Sequence, residues 1–408
     1  MNRLNYHPLS RRDFVRTVAL AAPLPFLVTS GRTADMPRLS SASSVGPDAP
    51  ATASFAFPLI PVAPAGDGVT RRGEASMVEL RDGSVLLAYA SAAGRSDNDR
   101  APLVARRLSA EGQPVSAERV VVPPPDGGLN AMSPALQRMP DGRIGMLFSY
   151  RMSTREASRR FTTSNDEGET WSAPTIVADG QYKTGCHDRF TIHSSGRLLA
   201  PCHCSEDWDK HHLHVRVARS DDLGRSWRLG APIELPYVRW PEGSGGGSLE
   251  SGCIEPGIAE RADGTLIMTM RTAMGTQFKS ESSDRGESWS SPRSMEVISP
   301  VAPARISRLP GSADLLLLWT SNYEAKAPLA GERHTIMAAL SSDGGRSWPH
   351  VRRKVLAHDP DHSIDYPGLL YKGHEGWITL RVSTGRGVLS GLTSTCLMRV
   401  PLAWFYSA

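Results

Sequence analysis

The sequence predicts an all-β chain, a six-bladed β-propeller, on two periodic signals and a composition that suits them. One octapeptide pattern occurs four times, and a turn followed by an apolar, strand-like segment occurs six times. Glycine (37) and proline (31) are plentiful, as many strands joined by many turns require. At 408 residues the length alone suggests two or three domains, but a repeat architecture overrides that expectation.

The octapeptides are Ser164-Asn-Asp166-Glu-Gly168-Glu-Thr170-Trp171, Ser220-Asp-Asp222-Leu-Gly224-Arg-Ser226-Trp227, Ser282-Ser-Asp284-Arg-Gly286-Glu-Ser288-Trp289 and Ser341-Ser-Asp343-Gly-Gly345-Arg-Ser347-Trp348. Their tryptophans lie 56, 62 and 59 residues apart, a blade's worth of chain each. The pattern has a structural logic. A carboxylate can bond backbone N–H groups and a small hydroxyl across a tight turn. Glycine supplies a backbone conformation that other residues resist. Tryptophan can pack between neighbouring sheets and keep its N–H satisfied. The pattern Ser-x-Asp-x-Gly-x-Ser/Thr-Trp resembles the Asp box of the sialidases and their relatives, a hairpin closure that does no chemistry itself.

The second signal places turns at Asp82-Gly83, Asp141-Gly142, Ser195-Gly196, Asp263-Gly264, Gly311-Ser312 and Glu375-Gly376, each beside an apolar strand. Blades are expected to start near residues 72, 130, 185, 250, 302 and 364. Blade one carries a degenerate box at Ser109-Ala-Glu111-Gly112, and blade six has none. A strand near 55–61 is expected to complete the last blade and lock the ring. A propeller gathers its inner strands about a central channel, where side chains from all blades converge.

Charge and the N-terminus limit the function classes. Residues 1–34 hold five arginines against Asp13, a net of +4, so residues 35–408 are formally neutral. A nucleic-acid partner, which needs a basic field on the folded part, is therefore not expected. Ser10-Arg11-Arg12-Asp13-Phe14-Val15-Arg16 and the apolar stretch after it read as a twin-arginine signal, too short to span a bilayer. The expected organisation is a signal peptide over 1–34, a flexible Ser/Ala/Pro-rich leader over 35–55 and the propeller over 56–408. That implies export to the periplasm or beyond and no membrane span in the mature protein. The five cysteines, an odd number, do not form a disulfide framework. Cys202-His203-Cys204 lacks the two-residue gap of usual zinc pairs, so buried thiols are expected rather than a metal site.

The resemblance to exo-acting sialidases extends to special positions across residues 70–400. It implies an Asp acid/base, a Tyr nucleophile assisted by Glu, and three arginines for a sugar carboxylate. Ser96-Asp97-Asn98-Asp99 ahead of a strand ending in Arg106-Arg107 assigns the acid/base to Asp97, with Asp99 as the alternative. Cys253-Ile254-Glu255-Pro256 and the strand ending Met270-Arg271 match the family's Glu and an arginine. Arg333 matches the arginine before a strand that runs into a box, and Tyr366 in Ile364-Asp365-Tyr366-Pro367 matches the nucleophile. The first arginine is assigned to Arg72. No Ile-Pro follows it, Arg71 remains an alternative, and Glu74 is an extra carboxylate that repels a substrate carboxylate unless paired. His187 and Asp188, at the matching start of blade three, are expected to line the pocket.

A tyrosine nucleophile suits this chemistry. Most retaining glycosidases use two carboxylates, and sialidases are an exception. In a 2-keto acid sugar the anomeric carbon bears a carboxylate that repels an anionic attacker, and a neutral phenol avoids this. The expectation is a retaining exo-glycosidase for a terminal anionic sugar on a glycan or glycoconjugate, with sialic acid first and no metal or organic cofactor. The alternatives are the same propeller acting on a uronic acid, a deoxy sugar or an arabinoside, by hydrolysis or elimination, and a non-catalytic glycan-binding propeller.

Overall fold

The computed structural model describes residues 52–210, 212–236, 251–321, 333–387 and 390–407. The expected signal over 1–34 and most of the leader lie outside the described residues. The described chain is all-β, with three short 3-10 turns as its helical content. None of its helices is long and apolar enough to cross a membrane.

Strand pairing resolves into six successive antiparallel units. Their innermost strands are Arg71–Glu79 in unit one, Asn130–Arg138 in unit two, Ser251–Glu260 in unit four, Arg305–Arg308 in unit five and Ser363–Lys372 in unit six. In unit three the inner strand is split into Tyr182–Thr184 and Thr191–Ile192, both paired to Leu198–Ser205. These starts agree with the periodicity of the sequence. The start of the described chain adds strands to the last two units. Leu59–Ala63 adds the outer strand of unit six by pairing with Thr393–Pro401, and Ser54–Phe55 pairs with Arg353–His358 of unit five. Strand hydrogen bonds form three separate sheets rather than one continuous ring.

The core lies between the units, and strand alternation explains it. Successive side chains of a strand point to opposite faces. In Val85–Ala92, Leu86 and Ala88 pack with Ile144, Met146 and Phe148 of unit two. Leu87 and Tyr89 turn the other way, onto Trp377 and Leu397 of unit six. The same division recurs in Leu315–Thr320: Leu315, Leu317 and Trp319 face unit four, while Leu316 and Leu318 face unit six. Apolar interfaces thus join every consecutive pair of units and also the sixth to the first. A buried Leu or Phe contributes on the order of 1.5–3 kcal/mol, so these layers, not the turns, carry most of the stability.

The four boxes close the outer hairpins as their sequence implies. In the third, Ser282 Oγ donates to Asp284 Oδ1 at 2.8 Å, and Ser288 donates through Oγ to Oδ2 at 2.5 Å and through its N–H to Oδ1 at 3.0 Å. Gly224 shows why glycine is required. Its φ is +85°, and a Cβ there would lie 2.0 Å from the Phe161 ring of the preceding unit. Trp171, Trp227, Trp289 and Trp348 each pack into the interface with the unit before. Their indole N–H groups are buried without a hydrogen-bond partner, which differs from the satisfied N–H expected of them.

Partial burial raises the Asp284 carboxyl, but the bonds from Ser288 and Ser282 outweigh it and bring it down to about 2. A carboxyl depressed on folding stabilises above its unfolded pKa and loses that contribution as pH falls through the folded one. Asp284→Ala is therefore expected to lower Tm by roughly 2 °C at neutral pH. The gap to the wild type should close as pH is taken from about 4 to about 2, read by thermal denaturation at each pH.

Candidate active site

The inner strands share one local device. Each of four has a register shift after which two of its residues oppose one: between Gly73 and Ser76, Met132 and Ala135, Ile254 and Gly257, and Asp365 and Gly368. The first bulged residue is Glu74, Ser133, Glu255 or Tyr366, with φ of +60°, +54°, +48° and +53°. Asp188, at φ +53°, occupies the break in unit three. Non-glycine residues in this region cost on the order of 1–3 kcal/mol each. A bulge re-aims a side chain that strand alternation would send to a blade face. Re-aimed side chains of different units meet.

The closest meeting is between units four and six. The Tyr366 phenol donates to Glu255 Oε1 at 2.5 Å. Arg271 donates to Glu255 Oε2 at 2.7 Å and to the Tyr366 oxygen at 3.4 Å. The Glu255 N–H bonds His203 Nδ1 at 3.3 Å. Burial raises the Glu255 carboxyl, but Arg271 and then His203 outweigh it and leave the carboxyl below its usual range. Burial, and then the Glu255 charge, push the phenol well above its usual value despite Arg271, Arg333 and Arg381 nearby. The pair is a neutral phenol on an ionised carboxylate, the stronger class of hydrogen bond.

Arginines crowd the same phenol. The Arg381 guanidinium lies 4.1 Å from the Tyr366 ring centre and that of Arg333 lies 5.7 Å away. Asp365 holds both: Arg381 donates to its two oxygens at 2.6 and 2.7 Å, and Arg333 to Oδ2 at 3.0 Å. Arg333 also donates to the Val301 carbonyl. Burial raises Asp365, and the two arginines override it and keep the carboxyl ionised. Gly73 makes room for this pair, since a Cβ there would lie 3.1 Å from Arg381 Cδ.

Unit one completes the cluster and corrects one assignment. Arg71, 3% exposed, is ion-paired with Asp97. Arg72, assigned to the pocket from sequence, is turned away, with its Nη1 on the Pro64 carbonyl at 2.7 Å and its Nε 2.7 Å from Glu118 Oε1. Neighbours on a strand face opposite ways, so only one of the two arginines can look inward. Asp97 is half-exposed; burial raises its carboxyl, but Arg71 outweighs this and holds it below the usual range. The alternative Asp99 folds back on its own loop and accepts the Ser96 N–H at 2.7 Å.

Two further expectations change. His187 is fully buried, stacked on the Tyr366 ring at 5.3 Å, with Nε2 3.1 Å from the Tyr366 carbonyl oxygen. Burial drives it well below its usual pKa, so it is neutral and Nε2–H is the donor. Asp188 accepts from Ser76 at 2.9 Å, Arg305 at 2.8 Å and the Leu369 N–H at 2.9 Å. Both residues were expected to line the pocket. His187 instead braces Tyr366 from behind, and Asp188 ties units one, three, five and six together with its acceptors filled.

Glu74 does lie in the cluster, 7% exposed, with Ser133 Oγ donating to it at 3.0 Å. Glu255, Tyr366, Arg271, Arg333, Asp97 and Glu74 are therefore brought together. Arg381 and Asp365 were missed, although a signal existed. Arg381 stands opposite Asp365, beside Tyr366, as Arg271 stands opposite Ile254, beside Glu255. The five cysteines are buried and free, and burial pushes the Cys202 thiol up to about 11. Among the described residues no group of three or more His, Cys, Asp or Glu could hold a metal ion.

Removing one partner from a buried ion pair is expensive because the other charge is left uncompensated. Asp365→Ala, which strands two guanidiniums, is expected to cost about 3–5 kcal/mol, measured as a fall in the free energy of urea unfolding.

The comparisons with known proteins agree with this architecture. Residues 85–378 match the BNR repeat-like domain. No curated protein matches the chain in sequence. Similar solved structures include a protein of unknown function from Dyadobacter fermentans, with TM-score 0.67 and 15% identity, covering 86% of this chain and 100% of that one. A Hadza microbial sialidase has TM-score 0.63 and 19% identity over 85% of this chain and 69% of its own. The intramolecular trans-sialidase of Ruminococcus gnavus has TM-score 0.63 and 13% identity over 86% of this chain and 98% of its own. At such identities the likeness is one of fold, and the repeat match over residues 85–378 shows that the chain belongs to the BNR repeat-like domain family.

Proposed function

We propose that the chain is a retaining exo-glycosidase that releases a terminal anionic sugar, with an α-sialoside as its substrate. The observation that carries this reading is the 2.5 Å bond from the Tyr366 phenol to Glu255 beneath a group of arginines. The solved sialidases and trans-sialidase that share the fold are consistent with it.

Each group has a chemical task. Arg71, Arg271 and Arg333 bind the sugar carboxylate. Tyr366 oxygen attacks the anomeric carbon while Glu255 takes the phenolic proton. Asp97 protonates the departing glycosidic oxygen as its bond to the anomeric carbon breaks, which leaves the sugar joined to Tyr366 as an aryl glycoside. Asp97 then removes a proton from water, the water oxygen bonds the anomeric carbon as the bond from that carbon to the Tyr366 oxygen breaks, and the proton returns from Glu255 to the Tyr366 oxygen. Two inversions retain the configuration. In the unliganded protein Asp97 is ionised by its pairing with Arg71. A substrate carboxylate that engages Arg71 weakens this pairing, which lets Asp97 hold the proton it must deliver.

A second reading, the same fold acting on another sugar (a uronic acid, a deoxy sugar or an arabinoside), is favoured by one observation, the extra carboxyl of Glu74 among the arginines. A glycan panel with product stereochemistry separates the two, and an ultraviolet-absorbing unsaturated product marks a lyase. We further propose export by the twin-arginine route to the periplasm or beyond, on the Ser10–Arg16 segment.

Tyr366→Phe should lower turnover of an aryl α-sialoside by at least roughly a hundredfold, and Glu255→Gln by roughly 10²–10⁴-fold. Near-wild-type turnover in the phenylalanine variant rejects Tyr366 as nucleophile. Asp97→Ala should lose about tenfold more on an alkyl-linked sialoside than on a nitrophenyl one, because only the poor leaving group needs the proton.

A further inference from the structure

The arginine cluster contains four guanidiniums, Arg71, Arg271, Arg333 and Arg381, and four carboxyls. Three of the carboxyls have an arginine partner: Asp97 pairs with Arg71, Glu255 with Arg271, and Asp365 with both Arg333 and Arg381. Glu74 differs. It is as buried as Glu255 and occupies the corresponding bulge of its own strand, yet among the described residues it makes no ion pair, and its bond is to the Ser133 hydroxyl. Its surroundings do not favour a charge. Asp97, on the loop after the second strand of its own unit, and Glu255 of unit four are anions that face it. Arg71 of its own strand, Arg381 of unit six and Arg159 of unit two face it as cations. Ser133 of unit two and Cys186 of unit three are its neutral neighbours. Burial, followed by Asp97, outweighs the pull of Arg71 and Arg381, and the carboxyl holds its proton to higher pH than an ordinary glutamate.

The placement of Glu74 decides how it meets a ligand. Ionised, it is a buried anion with no ion-pair partner beside Asp97 and Glu255, and an incoming carboxylate meets it as a further like charge in a buried site. Protonated, it removes that charge. We propose that Glu74 is the specificity-determining residue of this pocket, which takes one sugar carboxylate and one proton together, the proton residing on Glu74. This rests on the reading of the cluster as an acidic-sugar site and deepens it. It also turns the extra carboxyl from an obstacle to an acidic substrate into the group that sets when one is admitted. The sign follows from linkage. Binding is strongest where Glu74 is protonated and, above its pKa, weakens about tenfold per pH unit.

The test is calorimetric titration of the full chain with 2-deoxy-2,3-didehydro-N-acetylneuraminic acid from about pH 5 to about pH 9, in buffers of different ionisation enthalpy. The wild type is expected to take up close to one proton per ligand on the alkaline side, with the tenfold-per-unit loss of affinity. In Glu74→Gln the uptake on the alkaline side should vanish and the affinity there become flat with pH, leaving only the proton that Asp97 takes up on the acid side as Arg71 turns to the ligand. Asp97→Asn, which removes the anion that raises Glu74 most, should keep the uptake but move its onset to lower pH; it serves as the second variant if substitution at position 74 perturbs the fold. Uptake undiminished in Glu74→Gln assigns the proton to another group, such as Asp97, and overturns the proposal. Tight binding by the wild type without uptake overturns it too and leaves the glycosidase reading standing. A folded wild type that does not bind the acid overturns both.

Discussion

A straight inner strand would send every side chain to one or the other face of its own unit, into the apolar layers. The left-handed bulge breaks that alternation in four of the inner strands, and the pairing of Glu255 with Tyr366 depends on it. Glu255 of unit four reaches Tyr366 of unit six, and Glu74 of unit one reaches Ser133 of unit two, only because their backbones are held at positive φ. Such strain persists where the surroundings over-determine it. Here the apolar interfaces clamp the strands on both sides, and cross-unit ties such as His187 on the Tyr366 carbonyl fix the bulge itself.

Burial of charge is the second constraint. A buried guanidinium or carboxylate is tolerable only with a partner. The partners come from different parts of the array: Arg333, from the segment before the third strand of unit five, meets Asp365 of unit six, and Asp188 of unit three meets Arg305 of unit five. The same contacts that neutralise the cluster also hold the units in register. The site is therefore not an addition to a finished scaffold, and loss of its central ion pairs is felt as loss of stability.

The architecture was legible in the sequence because its signals are local. The boxes repeat Asp, Gly and Trp at fixed offsets, and each turn precedes a strand whose alternation divides cleanly between two neighbours. Glu255, Arg271, Arg333 and Tyr366 could be placed because motif and strand position agree for them. What could not be read was direction. Arg71 and Arg72 differ by one residue, and a single register step decides which looks inward. His187 and Asp188 stand at a strand start like the true site residues, but the split inner strand of unit three buries them behind the site instead. Arg381 was hidden in an apolar strand, where its role emerges only from its register with Asp365.

These constraints converge on one chemical claim, that a buried phenol rather than a carboxylate attacks the sugar. Glu255 is held by Arg271 and already bonded to the phenolic proton, which suits it to accept that proton and not to attack carbon. The decisive measurement is the intact mass of the protein after brief reaction with a 3-fluorosialyl fluoride, followed by peptide mapping. The account predicts a covalent glycosyl adduct on the peptide containing Tyr366; an adduct on Glu255 or Asp97, or none while the glycoside is being turned over, contradicts it.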